Sequence, residues 1–167
     1  MNFIAKDVAA LREKTGCGMM DCKKALTASE GDMEKAIDFL REKGLAASVK
    51  KAGRIAAEGV AFATVSENGK VGVVIEVNAE TDFVAKNDMF KDFVKDVAQV
   101  IMDQNPADVD ALLACQMGDT TVDAALKDKI LVIGENIKIR RFTRYEGPCA
   151  AYIHAGFGAV GRDRNFG

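Results

Sequence analysis

The sequence predicts an α+β fold in which a small bundle of three helices precedes a core of antiparallel sheet with helices packed on one face. Three observations support this. Apolar residues recur at helical spacing up to about residue 46, and from Gly59 they alternate with a period of two on either side of Asn68-Gly69. Helical spacing then returns, and a final alternating segment follows Gly134. The order of elements is therefore helices, two strands, helices and a third strand.

Residues 1–46 are predicted to form the three short helices. The first ends at the glycines of residues 15–18, and the second extends from about Asp21 to Ala28. The third ends at Gly44. Their apolar residues fall on one face of each helix, at Ile4, Val8, Leu11, Cys22, Ala25, Leu26, Met33, Ala36, Ile37 and Leu40. Such a bundle serves either as a structural cap or as a docking module whose turns form the contact surface.

Residues 47–57 are small or charged and are predicted to form a linker. The preceding helix could continue into them, but Gly53 and the small residues favour a linker. Lys50, Lys51 and Arg54 make a local basic cluster. That cluster is either a solvated face or a binding surface.

Residues 58–145 are predicted to form the α+β core. It begins with a β-hairpin whose turn contains Asn68-Gly69, the strongest short hairpin signal. Asn87 or Asp88 can cap the long helix that follows. The helix ends near Asn105-Pro106, and the later elements are a helix at 107–114, a polar turn at 118–120, a helix from Thr121 to Gly134 and a strand at about 136–144.

Residues 146–167 repeat the start of the first hairpin. Residues 146–151 follow the pattern of 58–63, and residues 155–161 match the later part of that hairpin. Residues 162–167 lack the apolar alternation of a second strand. We therefore expect an incomplete second core subdomain with a loose C-terminus. Its unpaired edge invites either disorder or pairing with another chain.

The composition is that of a globular, soluble chain and argues against several function classes. The 167 residues are 49% hydrophobic, enough for a core of ordinary size. Charges interrupt the apolar stretches, so neither a membrane helix of roughly 20 residues nor a signal peptide is predicted. A net charge of −2 with interspersed signs argues against a nucleic-acid binder. The expected partner is a protein or a small molecule.

The cysteines and the single histidine carry little catalytic signal. Cys17, Cys22, Cys115 and Cys149 include no Cys-x-x-Cys pair, which argues against a structural zinc site and for reduced thiols. Cys17 and Cys22 are either small core residues or reactive thiols. His154 is either an incidental turn residue or a contact residue. The sequence contains no catalytic constellation and no phosphate-cradling glycine loop.

Residues 76–86 join the second strand to the following helix, and they place an acidic residue beside an aromatic one. Asp82 and Phe83 stand where a connecting segment is held by regular structure, which is where binding groups usually lie. The alternative for Asp82 is helix N-capping or a local turn bond. The alternative for Phe83 is packing in the core. The residues alone leave both alternatives open.

Two segments resemble the elongation factor Ts family, the guanine-nucleotide exchange factors of the translational GTPase elongation factor Tu. They are residues 11–26, LREKTGCGMMDCKKAL, and residues 76–86, EVNAETDFVAK, which match the family patterns in order and spacing. The likeness extends from about residue 1 to His154. Beyond His154 the tail no longer resembles the expected strand, so the chain is interpreted as a short or truncated form.

The resemblance implies an N-terminal ubiquitin-associated-like domain that docks on the GTPase, followed by a dimerisation-type core. It implies that Thr81, Asp82, Phe83 and Val84 act beside the magnesium and phosphate site of elongation factor Tu. Phe83 would wedge between partner side chains, while Asp82 perturbs the groups that hold the magnesium ion. Weaker partner contacts are implied for the N-terminal docking residues, and the weakest for a histidine: Thr15, Gly16, Cys17, Gly18, Met19, Met20 and His154.

The same resemblance implies a cytoplasmic protein, or one of an organellar matrix or stroma in a eukaryote, that has no cofactor and makes or breaks no bond. Self-association through the incomplete core is a further expectation. The alternative function is that of a non-exchanging binder or chaperone of the GTPase, because the second core subdomain is incomplete. An independent enzyme is a more remote third interpretation.

Overall fold

The computed structural model describes residues 3–154 and 157–162, and the side chains of residues 3–151. Two compact units make up the chain. The first combines the chain up to Gly53 with Ala124–Asn136, and the second combines Arg54–Asp123 with the chain from Ile137 onward. Helices and antiparallel strands confirm the α+β class. No helix in the described part of the chain is long and apolar enough to cross a membrane.

Helices and strands follow one another in the described residues. The helices are α1 (Ala5–Thr15), α2 (Met19–Ala28), α3 (Met33–Lys51), α4 (Asp82–Ala85), α5 (Asp88–Gln104), α6 (Val109–Ala114) and α7 (Val122–Ile133). The strands are β1 (Glu58–Val65), β2 (Val71–Ala79), β3 (Gln116–Met117), β4 (Thr120–Thr121), β5 (Lys138–Glu146), β6 (Cys149–His154) and β7 (Phe157–Arg162).

The first unit packs α1, α2 and α3 around a small apolar core. Its buried residues are Val8, Leu11, Cys17, Cys22, Ala25, Leu26, Ala36 and Leu40. Asp32 begins α3, because its side chain accepts hydrogen bonds from the backbone N–H groups of Glu34 and Lys35. Leu131 and Val132 of α7 pack against the same core. The sequence pattern places α7 in the core of residues 58–145, whereas in the structure it packs on the helical bundle. Apolar spacing shows which face of a helix is buried, but it does not show which element covers that face.

Gly44 does not end α3, so that prediction is wrong: the helix continues to Lys51. A Cβ placed on the buried Gly44 would lie 3.3 Å from the carbonyl oxygen of Lys127 and 3.5 Å from Asp128 Oδ1, both in α7. The missing side chain allows the two helices to approach, and their packing offsets the roughly 1 kcal/mol that glycine costs inside a helix. The linker predicted over residues 47–57 is accordingly helical up to Lys51.

The second unit is built on an antiparallel sheet of strand order β1-β2-β5. The predicted first hairpin is confirmed. Helix α5 packs on β1 and β2, and its apolar stripe is buried, at Phe90, Phe93, Val94, Val97 and Ile101. Asn87 caps this helix, with its Oδ1 accepting a hydrogen bond from the Met89 N–H at 2.9 Å. The helix ends before Asn105, as predicted.

Arg144 of β5 ties the sheet to the end of α5. Its Nε and Nη2 donate to the carbonyl oxygen of Met102 at 3.2 and 3.1 Å. The usual helical donor to that oxygen would come from residue 106, which is proline and has no N–H. The guanidinium therefore satisfies an orphan carbonyl and places a positive charge at the negative end of the helix dipole.

The expectation of a loose C-terminus is wrong for two described strands. β6 and β7 pair antiparallel, from Cys149 opposite Arg162 to His154 opposite Phe157. Both strands lie against β1. The paired strands are joined by backbone hydrogen bonds, and they use residues that precede the 162–167 segment without apolar alternation, except for Arg162. The remainder of that expectation, at residues 155, 156 and 163–167, lies outside the described residues.

Candidate functional site

The predicted contact segment, residues 81–84, lies where β2 passes into α4, and we call it the junction. Thr81 precedes the helix in an extended conformation, and its Oγ1 accepts a hydrogen bond from the Val84 N–H at 3.4 Å. Thr81 therefore caps the helix, and Asp82 is the first helical residue rather than its cap. Ala85 is buried and anchors the inner side of this single turn. The fold thus brings Thr81, Asp82, Phe83 and Val84 together on one rigid turn.

Phe83 projects into solvent from the junction. Its side chain is 83% exposed, which rules out the alternative that it packs in the core. Complete burial of a phenylalanine is worth about 1.5–3 kcal/mol, and here the fold forgoes that stabilisation. The side chain has few rotatable bonds, so burying it against another molecule costs little conformational entropy. Phe83 has the properties of an aromatic anchor for a partner.

Asp82 presents a carboxylate beside this ring. Its Oδ2 lies 3.3 Å from Lys86 Nζ, one helical turn further on, and both side chains are largely exposed. An exposed pair of this kind is worth little, about 0.3–0.5 kcal/mol. A partner cation or hydrogen-bond donor can therefore compete for the Asp82 carboxylate at small cost.

A polar network lies behind the junction at the end of β2. The buried Asn78 donates from Nδ2 to the Glu58 carbonyl oxygen at 3.3 Å and to Glu76 Oε1 at 3.5 Å. Glu76 in turn pairs with two arginines of β5: Arg141 Nε lies 2.6 Å from its Oε2, and Arg140 Nη1 lies 3.6 Å from its Oε1. Desolvation raises the pKa of Glu76, but the hydrogen bonds from Arg141 and Asn78 and both positive charges lower it below its ordinary value overall.

A β-bulge explains how two consecutive arginines reach one carboxylate. Glu76 pairs with Arg141 and Val77 with Ile139, so Arg140 is an extra residue in β5. A bulge of this kind re-aims side chains that would otherwise alternate between the two faces of a sheet. Sequence reasoning missed this network. The available signal was the Arg140-Arg141 pair, which interrupts strict alternation in a strand that also contains Ile139.

The second predicted contact segment, residues 15–20, joins α1 to α2 in the first unit, and we call it the N-terminal turn. Gly16 adopts a left-handed conformation with φ of 69°, and its N–H donates to the Arg12 carbonyl oxygen at 2.8 Å, which ends α1. Thr15 Oγ1 accepts the Cys17 N–H at 3.3 Å, and Gly18 precedes α2. Met19 and Met20 at the start of α2 are exposed. Thr15, Gly16 and Gly18 therefore shape the turn, and the methionines offer its apolar surface.

Cys17 and Cys22 lie inside the core of the first unit. Burial raises the pKa of the Cys17 thiol, although a hydrogen bond with Thr15 lowers it in part. A buried thiol with a raised pKa holds little thiolate, so the core interpretation of Cys17 is preferred over the reactive one. His154 is the last residue of β6, and its side chain lies outside the described residues.

The sequence comparisons identify the relatives of this fold. The family model "Elongation factor TS" matches residues 80–162. "Elongation factor Ts" of Trichlorobacter lovleyi is 52% identical over 167 residues, covering 96% of this chain and 53% of the relative. The chain belongs to the elongation factor Ts family. The proteins of that name from Clostridium perfringens, strain SM101, and Bradyrhizobium sp. are each 53% identical, over 94% and 92% of this chain and 53% and 50% of their own lengths.

The chain spans about half the length of these elongation factor Ts relatives. The segment matched by the family model contains the junction, both arginines of the bulge and His154. The N-terminal turn precedes that segment. The two contact segments thus belong to different units, and only the junction lies in the part of the chain that the family model matches.

Proposed function

We propose that this chain promotes the release of GDP from the GTPase elongation factor Tu. The observation that carries the proposal is the junction, where a solvent-exposed Phe83 and an accessible Asp82 carboxylate stand side by side on a capped turn. Membership of the elongation factor Ts family supports the choice of elongation factor Tu as the partner. The rigid turn gives the partner contact a fixed geometry.

In the proposed mechanism, the junction enters the GTPase beside its magnesium and phosphate site. Phe83 wedges between partner side chains and gains the burial that it lacks in the free chain. The Asp82 carboxylate perturbs the groups that hold the magnesium ion, a cation that favours oxygen ligands in strict geometry. The nucleotide then loses support and dissociates.

The proposed activity is thermodynamic coupling and involves no bond chemistry or cofactor. A factor that binds the empty GTPase more tightly than the loaded one lowers nucleotide affinity by the same ratio. A coupling of about 1–3 kcal/mol corresponds to a change of roughly 5–150-fold. GTP displaces the factor by the reverse of the same coupling.

Docking of the first unit on the GTPase completes the proposal. The exposed Met19 and Met20 of the N-terminal turn provide an adaptable apolar surface, and Thr15, Gly16, Cys17 and Gly18 hold its shape. His154 is a weaker proposed contact. We place this activity in the cytoplasm, or in an organellar matrix or stroma for a eukaryotic source.

The test is the release of labelled GDP from elongation factor Tu with and without the chain. We expect acceleration by the wild-type chain and loss of most of it in Asp82→Ala and Phe83→Ala. Ile55→Ala is the matched control, because Ile55 is an equally exposed apolar side chain of the same unit. Acceleration that survives both junction variants would contradict the insertion mechanism.

A second candidate function is that of a non-exchanging binder or chaperone of the GTPase. The observation behind it is that the chain spans about half the length of its relatives, so the part of the interface that exchange requires can lie outside it. Binding to elongation factor Tu without faster GDP release favours this function. Self-association of the chain remains a proposal that sedimentation would test.

A further inference from the structure

Asn78 is a buried polar side chain three residues before the helix cap Thr81. Among the described residues, Asn78 and Asn136 are the two buried polar or charged side chains, and Asn78 is 8% exposed. Burying an amide is unfavourable unless hydrogen bonds compensate. Here they come from the Glu58 carbonyl oxygen and from Glu76. The amide therefore joins β2 to the start of β1 through its side chain, in addition to the backbone ladder.

Strand β1 approaches Asn78 closely. Gly59 is its register partner in β1, and a Cβ on Gly59 would lie 2.8 Å from the Asn78 Cα, 3.0 Å from its Nδ2 and 2.2 Å from the Val77 carbonyl oxygen. On the other side, Glu76 is held by Arg140 and Arg141 of β5. Asn78 is thus held between β1 and the bulge of β5.

Between Asn78 and Thr81, both residues of the chain make contacts with the rest of the unit. Ala79 is fully buried, and Glu80 Oε1 lies 3.5 Å from Arg54 Nη1. The helix α4 that follows has four residues, and helices shorter than about 12 residues are not stable by themselves in water. The direction in which α4 presents Phe83 is therefore set by the elements it contacts, which are β1, α5 and the end of β2.

We propose that Asn78 is a positioning residue, which fixes the direction of Phe83 and Asp82 through its bonds to Glu58 and to the Glu76–Arg141 pair. It does not touch the partner and acts through the junction. The effect on GDP release rests on the proposed function. The effect on local order is a property of the free chain.

The first experiment is hydrogen exchange on the free chain, which does not depend on the proposed function. In Asn78→Ala we expect the amides of residues 84–86 to exchange about tenfold faster, equivalent to about 1.4 kcal/mol, because the hydrogen bonds of the Asn78 side chain are lost. The amide of Gly16 in the first unit serves as the internal reference. Unchanged exchange at residues 84–86 in the folded variant overturns the proposal.

The second experiment is a double-mutant cycle on the rate of labelled GDP release from elongation factor Tu. We expect Asn78→Ala to lower the maximal rate about tenfold without changing the concentration of chain that gives half-maximal release. In a Phe83→Ala background the same substitution should have a smaller effect, since Asn78 acts through Phe83 as well as through Asp82. Full additivity of the two substitutions overturns the positioning role. A wild-type chain that leaves the release rate unchanged contradicts the proposed function, and hydrogen exchange then still decides the role of Asn78.

A surface variant keeps the test decisive if Asn78→Ala does not fold. Arg141→Gln removes an exposed partner of Glu76, and we expect a smaller change, about threefold, in both measurements. Lys95→Gln is the matched control, because it removes one positive charge from an exposed position of the same unit, on α5 and outside the ladder between β2 and β5. Equal effects of the two variants would show that net charge, and not the network, controls the junction.

Discussion

The junction and the N-terminal turn both expose apolar side chains next to a helix start, but they hold them differently. Phe83 follows a residue whose side chain caps α4. It also follows the end of β2, where Asn78 donates hydrogen bonds to β1 and to Glu76. Met19 and Met20 open α2 after Gly18, where no side chain caps the helix. Phenylalanine is stiff, whereas methionine has three rotatable side-chain bonds and adapts its shape. The difference suggests fixed insertion by one surface and adaptable docking by the other.

The largest effect is expected where the backbone under the junction has no room for a side chain. Gly59→Ala would bring a Cβ to 2.2 Å from the Val77 carbonyl oxygen, and we expect a loss of about 3 kcal/mol from the free energy of unfolding of the second unit. Urea unfolding would measure this loss. Hydrogen exchange at the amide of Ala85, in the second unit, and at the amide of Gly16, in the first, would show that the loss of stability is confined to the second unit.

Gly53→Ala is the control for that substitution. A Cβ on Gly53 meets no atom within 4 Å, so its stability should stay within about 0.5 kcal/mol of wild type. Equal destabilisation by the two glycine variants would mean that close strand approach is not what Gly59 provides.

Phe83→Ala should separate activity from stability. We expect the maximal rate of GDP release to fall at least about tenfold, equivalent to about 1.4 kcal/mol. The free energy of unfolding should change by less than about 0.5 kcal/mol, because the ring is already exposed. Stopped-flow release and urea unfolding give the two quantities. A large loss of stability would mean that the ring supports the fold and that the comparison of the two surfaces fails.

Met20→Ala should produce the opposite kinetic pattern. If the N-terminal turn contributes docking, the concentration of chain required for half-maximal release rises about threefold, while the maximal rate at saturation stays unchanged. Titration of the release rate with each variant measures both quantities. A fall in the maximal rate with unchanged half-saturation would make the N-terminal turn a second insertion element. Val49→Ala, at another exposed apolar residue of the first unit, is the control.

Local patterns were sufficient to predict the first hairpin and α5. Asn68-Gly69 encodes its turn in two adjacent residues, and the stripe from Phe90 to Ile101 repeats at helical spacing. The end of α3 was not predictable in this way. Gly44 is a stop signal in sequence, but it becomes a packing site once α7 lies against it, and a local pattern contains no information on that contact.

The candidate site shows the same limit. The sequence indicated Asp82 and Phe83 as contact residues by residue type and position, but it left open whether Phe83 is buried. The exposure of Phe83 in the structure excludes packing in the core. The network behind them joins Glu76 to Arg141 across 65 positions of sequence. Such a pairing requires the register of β2 on β5 and the bulge at Arg140, neither of which a single sequence fixes.

The smallest expected effects concern pH, to which the two units should respond in opposite directions. Desolvation of Glu76 is outweighed by its arginine partners, which lower its pKa below the ordinary 4.5. This pairing therefore stabilises the second unit above pH 4.5. The stabilisation is lost as the pH falls through the lowered pKa of Glu76. Burial raises the pKa of Asp128 above its ordinary 3.8, although Arg41 and Lys129 lower it in part. Its ionisation therefore destabilises the first unit at neutral pH, and the penalty disappears as the pH falls through the raised pKa.

Two amide substitutions test this pair of signs. At pH 7 we expect Glu76→Gln to destabilise the second unit and Asp128→Asn to stabilise the first, and both differences from wild type should shrink in acid. Hydrogen exchange resolved by unit and followed from pH 7 to about pH 2.5 separates the two responses, because the Glu76 contribution is lost only below its ordinary pKa of 4.5. Shifts of the same sign at pH 7 would contradict the assignment, because the carboxylate of Asp128, where desolvation outweighs the nearby positive charges, and that of Glu76, where hydrogen bonds and arginine charges outweigh desolvation, must respond in opposite directions. If it is Glu76→Gln that fails to destabilise the second unit, the polar support of the junction has to come from hydrogen bonding at Asn78 alone, without a contribution from the charge on Glu76.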